Sequence, residues 1–218
     1  MSLLTHRSRS LFLLCGVLLI FVVTPFLEDR ERGEILVVLN LYLTLVAATV
    51  QLSERRKLFL SAIPLAGASV GLLWLNHVYH YRAFAIATNI SLIAFIGLVC
   101  VSLFVYLGKK AAIDRERIVI SVCLYFLFGL FWFSVFQLTN AVYPGSFAEN
   151  GVTLTDPIPP SKLLYFSLTS LTTLGFGDIV AVRPPARMFA ALEAAVGVLY
   201  IAITVARLVA AYQITEEK

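Results

Sequence analysis

Charged side chains are scarce in this 218-residue chain: Asp, Glu, Lys and Arg make up 14% of it, whereas apolar residues make up 60%. Soluble domains carry about 25% charged residues. A chain of this length leaves much of its surface exposed, so its apolar residues exceed what a core of its own can bury. The composition therefore predicts an integral membrane protein.

Other classes of protein are disfavoured by what the sequence lacks. The three cysteines, Cys15, Cys100 and Cys123, fall within apolar runs and at no spacing typical of a disulfide framework or a zinc site. The net charge of +4 gives no support to a nucleic-acid partner. No cluster of catalytic polar side chains lies within the apolar runs. We therefore expect no nucleic-acid partner, no cofactor and no enzymatic activity.

Long apolar runs make up more than half of the sequence. The six runs are residues 11–27, 35–52, 58–75, 83–107, 118–142 and 188–206. The first five contain no Asp, Glu, Lys or Arg, and the sixth contains only Glu193. Runs of this length and composition predict transmembrane helices. The expected fold is an all-α integral membrane protein with six transmembrane helices.

Residues 143–187, between the fifth and sixth runs, are of a different kind. They hold six of the eight prolines and a short apolar stretch at 163–171, which is too short to span a bilayer. We expect this stretch to form a re-entrant helix that dips into the membrane from one side. Pro159 and Pro160 suit its first turn, where a missing N–H costs nothing.

Basic residues concentrate in alternate loops, which predicts the orientation. Eleven of the seventeen Lys and Arg residues lie before the first run, between the second and third, between the fourth and fifth, or after the sixth. Such segments face the cytoplasm. We therefore expect a multi-pass protein of the plasma membrane with both termini in the cytoplasm, and a re-entrant segment that enters from outside.

Residues 172–178 read T-T-L-G-F-G-D. Glycine at alternate positions permits backbone geometry that side chains forbid, so successive carbonyls can point the same way. A row of carbonyl oxygens can replace the water around a monovalent cation. Phosphate-binding loops also use paired glycines, but here no strand precedes them and no Lys-Ser/Thr follows.

This segment resembles the potassium-channel pore signature, T-V-G-Y-G-D in its commonest form, and residues 118–212 resemble the helix–pore loop–helix module of that family. The resemblance implies a selectivity filter lined by the carbonyls of Thr173, Leu174, Gly175, Phe176 and Gly177. It implies K⁺ as the permeant ion, held at the first four of these residues, and a Thr173 hydroxyl that completes the innermost site.

The same resemblance assigns five residues to the support of the filter: Thr172, Asp178, Tyr165, Phe166 and Thr169. Asp178 has two interpretations, a cation-attracting charge at the mouth or an acceptor for Tyr165 behind the filter, and the second is favoured because a buried carboxylate needs a donor. Phe176 stands where the family usually has Tyr and lacks its hydroxyl. Two-pore-domain potassium channels share the T-x-G-F-G pattern, so the substitution is compatible with K⁺ selectivity but questions the rigidity of the filter.

The last run suggests a gate. Gly197 resembles the hinge glycine of the family's inner helix, and the apolar residues that follow it at helical spacing form one stripe: Val198, Ile201, Val205 and Val209. Four copies of the stripe would make hydrophobic rings that stop ions by dewetting; the alternative is packing against lipid or neighbouring helices. Glu193 is either a polar latch to Thr169 or Ser170 or a proton-sensitive gate.

The sequence as a whole predicts a passive K⁺-selective channel. Residues 1–117 are expected to form a four-helix domain without voltage-sensor arginines, and residues 118–218 a potassium-channel-like pore domain. One pore motif cannot encircle an ion, so a homotetramer embedded in lipid is implied. The alternatives are a weakly selective monovalent cation channel and a non-conducting regulatory channel subunit.

Overall fold

The computed structural model describes residues 2–27, 44, 56–79, 81–108 and 115–216. Within these ranges the chain is mostly helical. In chain order its elements are α1 (Ser2–Leu27), α2 (Arg56–Tyr79), α3 (Arg82–Gly108), α4 (Arg115–Val142), β1 (Phe147–Glu149), β2 (Val152–Thr153), α5 (Pro160–Leu171), β3 (Ile179–Ala181) and α6 (Pro184–Glu216). The second predicted span, 35–52, lies outside the described residues apart from Thr44.

Three of these helices are long and apolar enough to cross a membrane: α3, α4 and the Pro184–Arg207 part of α6. With 27 residues, α3 is about 40 Å long at 1.5 Å per residue, which exceeds the roughly 30 Å of a hydrocarbon core. Shorter apolar stretches occur in α1, at Ser10–Phe26, and in α2, at Leu60–Asn76. The described part of the chain thus supports a membrane protein and supplies three candidate spans, and a total of six stays a prediction.

One apolar core joins the helices on both sides of the expected domain boundary at residues 117 and 118. Val17 on α1, Phe95 on α3 and Leu124 on α4 are almost completely buried in it. The core continues into Leu164 on α5 and Tyr200 on α6. Helix α5 is therefore packed against spanning helices, which sets the position of the loop that follows it.

Two arginines join the ends of different helices. Arg82, at the start of α3, donates from Nη2 to the Val142 carbonyl oxygen at the end of α4, over 2.7 Å. Arg207 of α6 donates from Nη2 to the Leu107 carbonyl oxygen at the end of α3, also over 2.7 Å. The last carbonyls of a helix lack intrahelical partners, so a basic side chain satisfies them. These bonds fix α3, α4 and α6 relative to one another.

A small antiparallel sheet interrupts the helical chain, and the expectation of an all-α fold is wrong at this point. The strand order is β2-β1-β3, with Ala148 opposite both Thr153 and Val180. Strands β1 and β2 form a hairpin whose two turn residues, Asn150 and Gly151, have φ values of 48° and 83°. Positive φ at both positions is the geometry of a type I′ turn, which favours Asn-Gly. The Asn-Gly pair was the sequence signal for this hairpin.

Helix α5 begins at a pair of prolines. Pro160 occupies the first helical position, as the sequence predicted, whereas Pro159 lies one residue earlier, at the N-cap. The helix lies against α4 and α6, and half of its residues are buried: Leu163, Leu164, Phe166, Ser167, Thr169 and Leu171. Lys162 forms an ion pair of 2.5 Å with Glu149 of β1 and thereby ties the start of α5 to the sheet.

Candidate functional site

The loop after α5, residues 172–178, has an alternating backbone. Thr173, Gly175 and Gly177 have φ values of 57°, 53° and 80°, whereas Leu174 and Phe176 between them do not adopt positive φ. When the backbone alternates between positive and negative φ, successive peptide groups turn toward the same side of the chain. The positive φ values at alternate positions are those that the spacing of the glycines permits, and a row of carbonyls stays a prediction.

The need for glycine at position 175 is conformational. A Cβ atom placed there would meet no atom within 4 Å, but φ lies in the left-handed region. A side chain in that region costs about 1–2 kcal/mol. Thr173 adopts the same region although it is β-branched, which makes it an outlier. Its hydroxyl donates to the Thr172 carbonyl oxygen at 2.7 Å, a local bond that accompanies the strained backbone.

The end of α5 holds the loop through main-chain hydrogen bonds. The N–H groups of Leu174 and Gly175 both donate to the Thr169 carbonyl oxygen, at 2.9 and 3.2 Å, and that of Thr173 donates to Ser170 at 3.0 Å. The Thr169 hydroxyl instead donates to the Phe166 carbonyl oxygen at 3.0 Å. Thr169 therefore contacts the loop through its carbonyl, and Thr172 closes the helix by donating its N–H to Leu168.

Tyr165 of α5 contacts Phe176 and Asp178 at the end of the loop. The rings of Tyr165 and Phe176 are stacked, with centroids 6.5 Å apart and planes 2° apart. A side-chain hydrogen bond joins the Tyr165 hydroxyl to Asp178. The Asp178 main-chain oxygen accepts the N–H of Asn150 at 2.8 Å. The end of the loop is thus joined both to α5 and to the hairpin.

Phe166 faces the opposite direction, into a cluster of three aromatic rings that the sequence analysis missed. Its ring centroid lies 5.0 Å from that of Phe136 on α4 and 5.2 Å from that of Phe147 on β1, both in edge-to-face geometry. Phe136 and Phe147 are fully buried. Edge-to-face pairs of this kind add about 0.5–1.5 kcal/mol beyond their buried area. The cluster fixes α5 against α4 and the sheet.

Glu193 of α6 contacts α5, but not at the predicted partner. The Ser167 hydroxyl lies 2.6 Å from Glu193 Oε1, so the expectation of Thr169 or Ser170 is wrong. The spacing of residues in a 12-residue helix does not determine how the helix is rotated against its neighbours. The buried contacts of α5 determine it here, and they direct Ser167 toward α6.

Gly197 lies one helical turn beyond Glu193, where α6 packs closely against the end of α5. A Cβ atom at Gly197 would lie 2.0 Å from the carbonyl oxygen of Leu171. The same oxygen accepts a hydrogen bond of 3.3 Å from the Tyr125 hydroxyl. Helix α6 is unbroken through this position. Close packing against the end of α5 is thus a sufficient reason for glycine here, and the hinge stays a prediction.

Beyond Gly197, the predicted stripe is uncovered in the single chain. Val198, Ile201 and Val205 are each about half exposed, at 53%, 49% and 53%. Val209 also belongs to α6, but its side chain lies outside the part of the chain that the structure describes. In residues 172–178, the side chains of Leu174 and Phe176 are exposed as well. Both the loop and this face of α6 thus carry exposed apolar side chains.

Residues 118–213 match a protein-family model described as an ion channel. This stretch therefore forms an ion channel domain, which confirms the resemblance found in the sequence and is consistent with the potassium-channel pore family. It covers α4, the sheet, α5, the 172–178 loop and nearly all of α6. Comparison with curated proteins and with solved structures gives no significant match.

Proposed function

We propose that this protein, whose residues 118–213 form an ion channel domain, is a tetrameric channel for passive, selective K⁺ conduction. The alternating backbone of residues 172–178 is the observation that carries the proposal. In such a loop the carbonyls of Thr173 to Gly177 line a narrow path and replace the hydration shell of K⁺. The Thr173 hydroxyl contributes to the innermost site. No chemical turnover is involved, and K⁺ is the permeant ligand.

A single loop cannot surround an ion, so four copies of the chain are needed around a common axis. The exposed apolar side chains of the loop and of α6 form the surface that such an assembly uses, and in a bilayer neighbouring copies or lipid cover them. In the homotetramer part of the surface contacts neighbouring copies, part faces lipid, and the stripe below the loop lines the ion path.

The proposed placement in the bilayer follows from α5. This helix has 12 residues, and its length of about 18 Å is less than a span. It enters from the outside as a re-entrant helix and ends at the filter, where its C-terminal carbonyls direct partial negative charge toward the permeant cation. The chain then has six spans in the plasma membrane and both termini in the cytoplasm.

Several contacts support a rigid filter in spite of Phe176. The stacked ring of Tyr165, its bond to Asp178 and the Asn150–Asp178 main-chain bond hold the outer end of the loop. The Thr169 carbonyl oxygen holds the centre of the loop by accepting the N–H groups of Leu174 and Gly175. Together these restraints stand in for the missing hydroxyl and favour K⁺ selectivity over weak selectivity.

The stripe of Val198, Ile201, Val205 and Val209 forms the gate in this proposal. Four apolar rings below the filter stop ions when the pore between them loses its water. Selectivity resides in the carbonyl filter and gating in these rings, so the two properties are separable by mutation.

Reversal potentials and flux in liposomes test the proposal. The purified protein is reconstituted with K⁺ or Na⁺ gradients, and we expect K⁺ flux with a reversal potential that follows the K⁺ gradient. A reversal potential midway between those of K⁺ and Na⁺ would indicate a weakly selective cation channel. Absence of flux from an assembled tetramer would indicate a non-conducting subunit.

Two glycine variants localise the ion path. Gly175→Ala introduces a side chain at a φ of +53° in the loop, and Gly151→Ala introduces one at a φ of +83° in the hairpin turn. Neither added methyl meets an atom within 4 Å, so both variants bear a similar conformational cost of about 1–2 kcal/mol. We expect only Gly175→Ala to abolish K⁺ flux. Unchanged K⁺ flux in Gly175→Ala would mean that ions pass elsewhere.

A further inference from the structure

Glu193 is the one Asp, Glu, Lys or Arg of the last apolar run, and its side chain is completely buried. Its Oε1 atom lies 2.6 Å from the Ser167 hydroxyl oxygen. Its Oε2 atom is buried and has no hydrogen-bond partner in the described part of the chain. A carboxylate anion in such surroundings is costly unless donors or a cation compensate its charge.

The elements packed around Glu193 offer little compensation. Helix α4 contributes Tyr125, which interacts electrostatically with Glu193 but donates its hydroxyl proton to the Leu171 carbonyl oxygen. Helix α5 contributes the Ser167 hydroxyl. Within the residues that the structure describes, no Lys, Arg or His pairs with either carboxyl oxygen. Among the described residues, the carboxyl group therefore has one shared hydroxyl as its partner and no cationic side chain.

A count of protons distinguishes the two states of the carboxyl group. The Ser167 hydroxyl oxygen lies 2.6 Å from Glu193 Oε1 and 2.8 Å from the Gly129 carbonyl oxygen of α4. A hydroxyl has one proton to donate. If Glu193 is ionised, the Ser167 proton goes to the carboxylate. The Ser167 and Gly129 oxygens then lie close together with no proton between them. If Glu193 is neutral, its own proton goes to Ser167 and the Ser167 proton goes to Gly129, so both short contacts are hydrogen bonds.

We infer that Glu193 is a neutral carboxylic acid that donates its proton to Ser167, which donates to the Gly129 carbonyl, so that one directed chain of hydrogen bonds joins α6, α5 and α4 behind the 172–178 loop. Glu193 is thereby a positioning residue that acts on the loop through α5. Its effect on conduction rests on the proposed function, whereas its protonation state does not.

Two contacts at matching intervals show how α6 positions α5. Glu193 contacts Ser167, and four residues later on each helix Gly197 lies against Leu171. Residues four apart lie on one face of a helix. Between these contacts on α5 is Thr169, whose carbonyl accepts the N–H groups of Leu174 and Gly175. Loss of the Glu193 contact therefore removes one of the two α6 contacts that flank the part of α5 to which the loop is bonded.

Solid-state nuclear magnetic resonance on the full-length protein in lipid tests the protonation state. Glutamate labelled with carbon-13 at the side-chain carboxyl reports whether the group is neutral or ionised, and the Glu193 signal is the one missing from Glu193→Gln. We expect a neutral carboxyl at neutral pH, with a chemical shift that changes in Ser167→Ala. A Glu193 signal typical of an ionised carboxylate overturns the inference, as does a neutral signal that Ser167→Ala leaves unchanged.

Variants test the positioning role. Gln keeps a donor for Ser167, so we expect Glu193→Gln to retain K⁺ flux and a Tm close to that of the wild type. Glu193→Leu and Ser167→Ala remove the chain of hydrogen bonds, and we expect each to lower Tm by about 2–10 °C. Ser134→Ala is the matched control, because Ser134 is equally buried but bonds only within its own helix, to the Leu130 carbonyl.

The outcomes keep the two proposals distinct. A wild type without K⁺ flux contradicts the proposed function and leaves the neutral carboxyl and the Tm pattern as expected. A conducting wild type in which Glu193→Leu matches Glu193→Gln in both flux and Tm contradicts the positioning role alone.

Discussion

Replacement of Gly197 by alanine is the sharpest test of how α6 meets the end of α5. Two explanations of this glycine make opposite predictions about stability. A hinge glycine is kept for flexibility, and alanine in the middle of a helix is more stable than glycine by about 0.5–1 kcal/mol. A glycine at a close helix–helix contact is kept because a side chain has no space, and alanine there collides with the neighbouring helix.

The structure determines the size of that collision. The added Cβ atom would lie 2.0 Å from the Leu171 carbonyl oxygen, whereas real Cβ contacts are essentially never shorter than 3.0 Å, so the helices must separate by at least 1.0 Å. The obstacle is backbone, and the Tyr125 hydroxyl also bonds to it. Overpacking of this kind costs about 1–3 kcal/mol. A loss of that size lowers Tm by roughly 2–12 °C for a chain of this length.

Thermal unfolding of the purified protein in detergent measures the effect, with Gly97→Ala as the control. Gly97 is also a helical glycine within an apolar run, but its added Cβ atom would lie 3.5 Å from Phe131, at ordinary contact distance. We expect Tm to fall in Gly197→Ala and to stay level or rise in Gly97→Ala. A Gly197→Ala protein as stable as the wild type would refute the contact explanation. Measurement of K⁺ flux cannot replace measurement of Tm, because loss of a hinge and displacement of α5 would both reduce the flux.

Three further predictions concern the gate, the response to voltage and the aromatic cluster. Ile201→Asn should wet the apolar ring and raise resting K⁺ flux with unchanged preference for K⁺ over Na⁺; unaltered open probability in both Ile201→Asn and Val205→Asn would place the gate elsewhere. Voltage dependence should be shallow, because the first four predicted spans contain no basic residue and one charge crossing the field contributes only about 2.3 kcal/mol per 100 mV; planar-bilayer recordings equivalent to several gating charges per tetramer would contradict this. Phe136→Ala should cost about 3–5 kcal/mol in unfolding measurements, and a loss below 1 kcal/mol would show that the three-ring cluster does not anchor α5.

Much of the channel domain was predictable because its signals are local. The hairpin turn at Asn150-Gly151 was missed although its signal is also local. The Asn-Gly pair is typical of such a turn, but the expected all-helical fold did not include a hairpin. The sheet still required the tertiary structure, because β3 pairs with β1 across about 30 intervening residues that include α5. Backbone pairing over such a separation depends on where α5 brings the chain, and no short pattern encodes that.

By itself the sequence determined the features that depend on neighbouring residues. Apolar runs without charge specify helices for a bilayer, the proline pair specifies the start of α5, and glycine at 175 and 177 permits positive φ. Only the tertiary structure decided which side chains meet. It directed Glu193 to Ser167, brought Gly197 against Leu171 and joined Phe166 to Phe136 and Phe147. The rotation of a short helix among its neighbours is set by close packing of all of them at once, which no spacing within one helix can express.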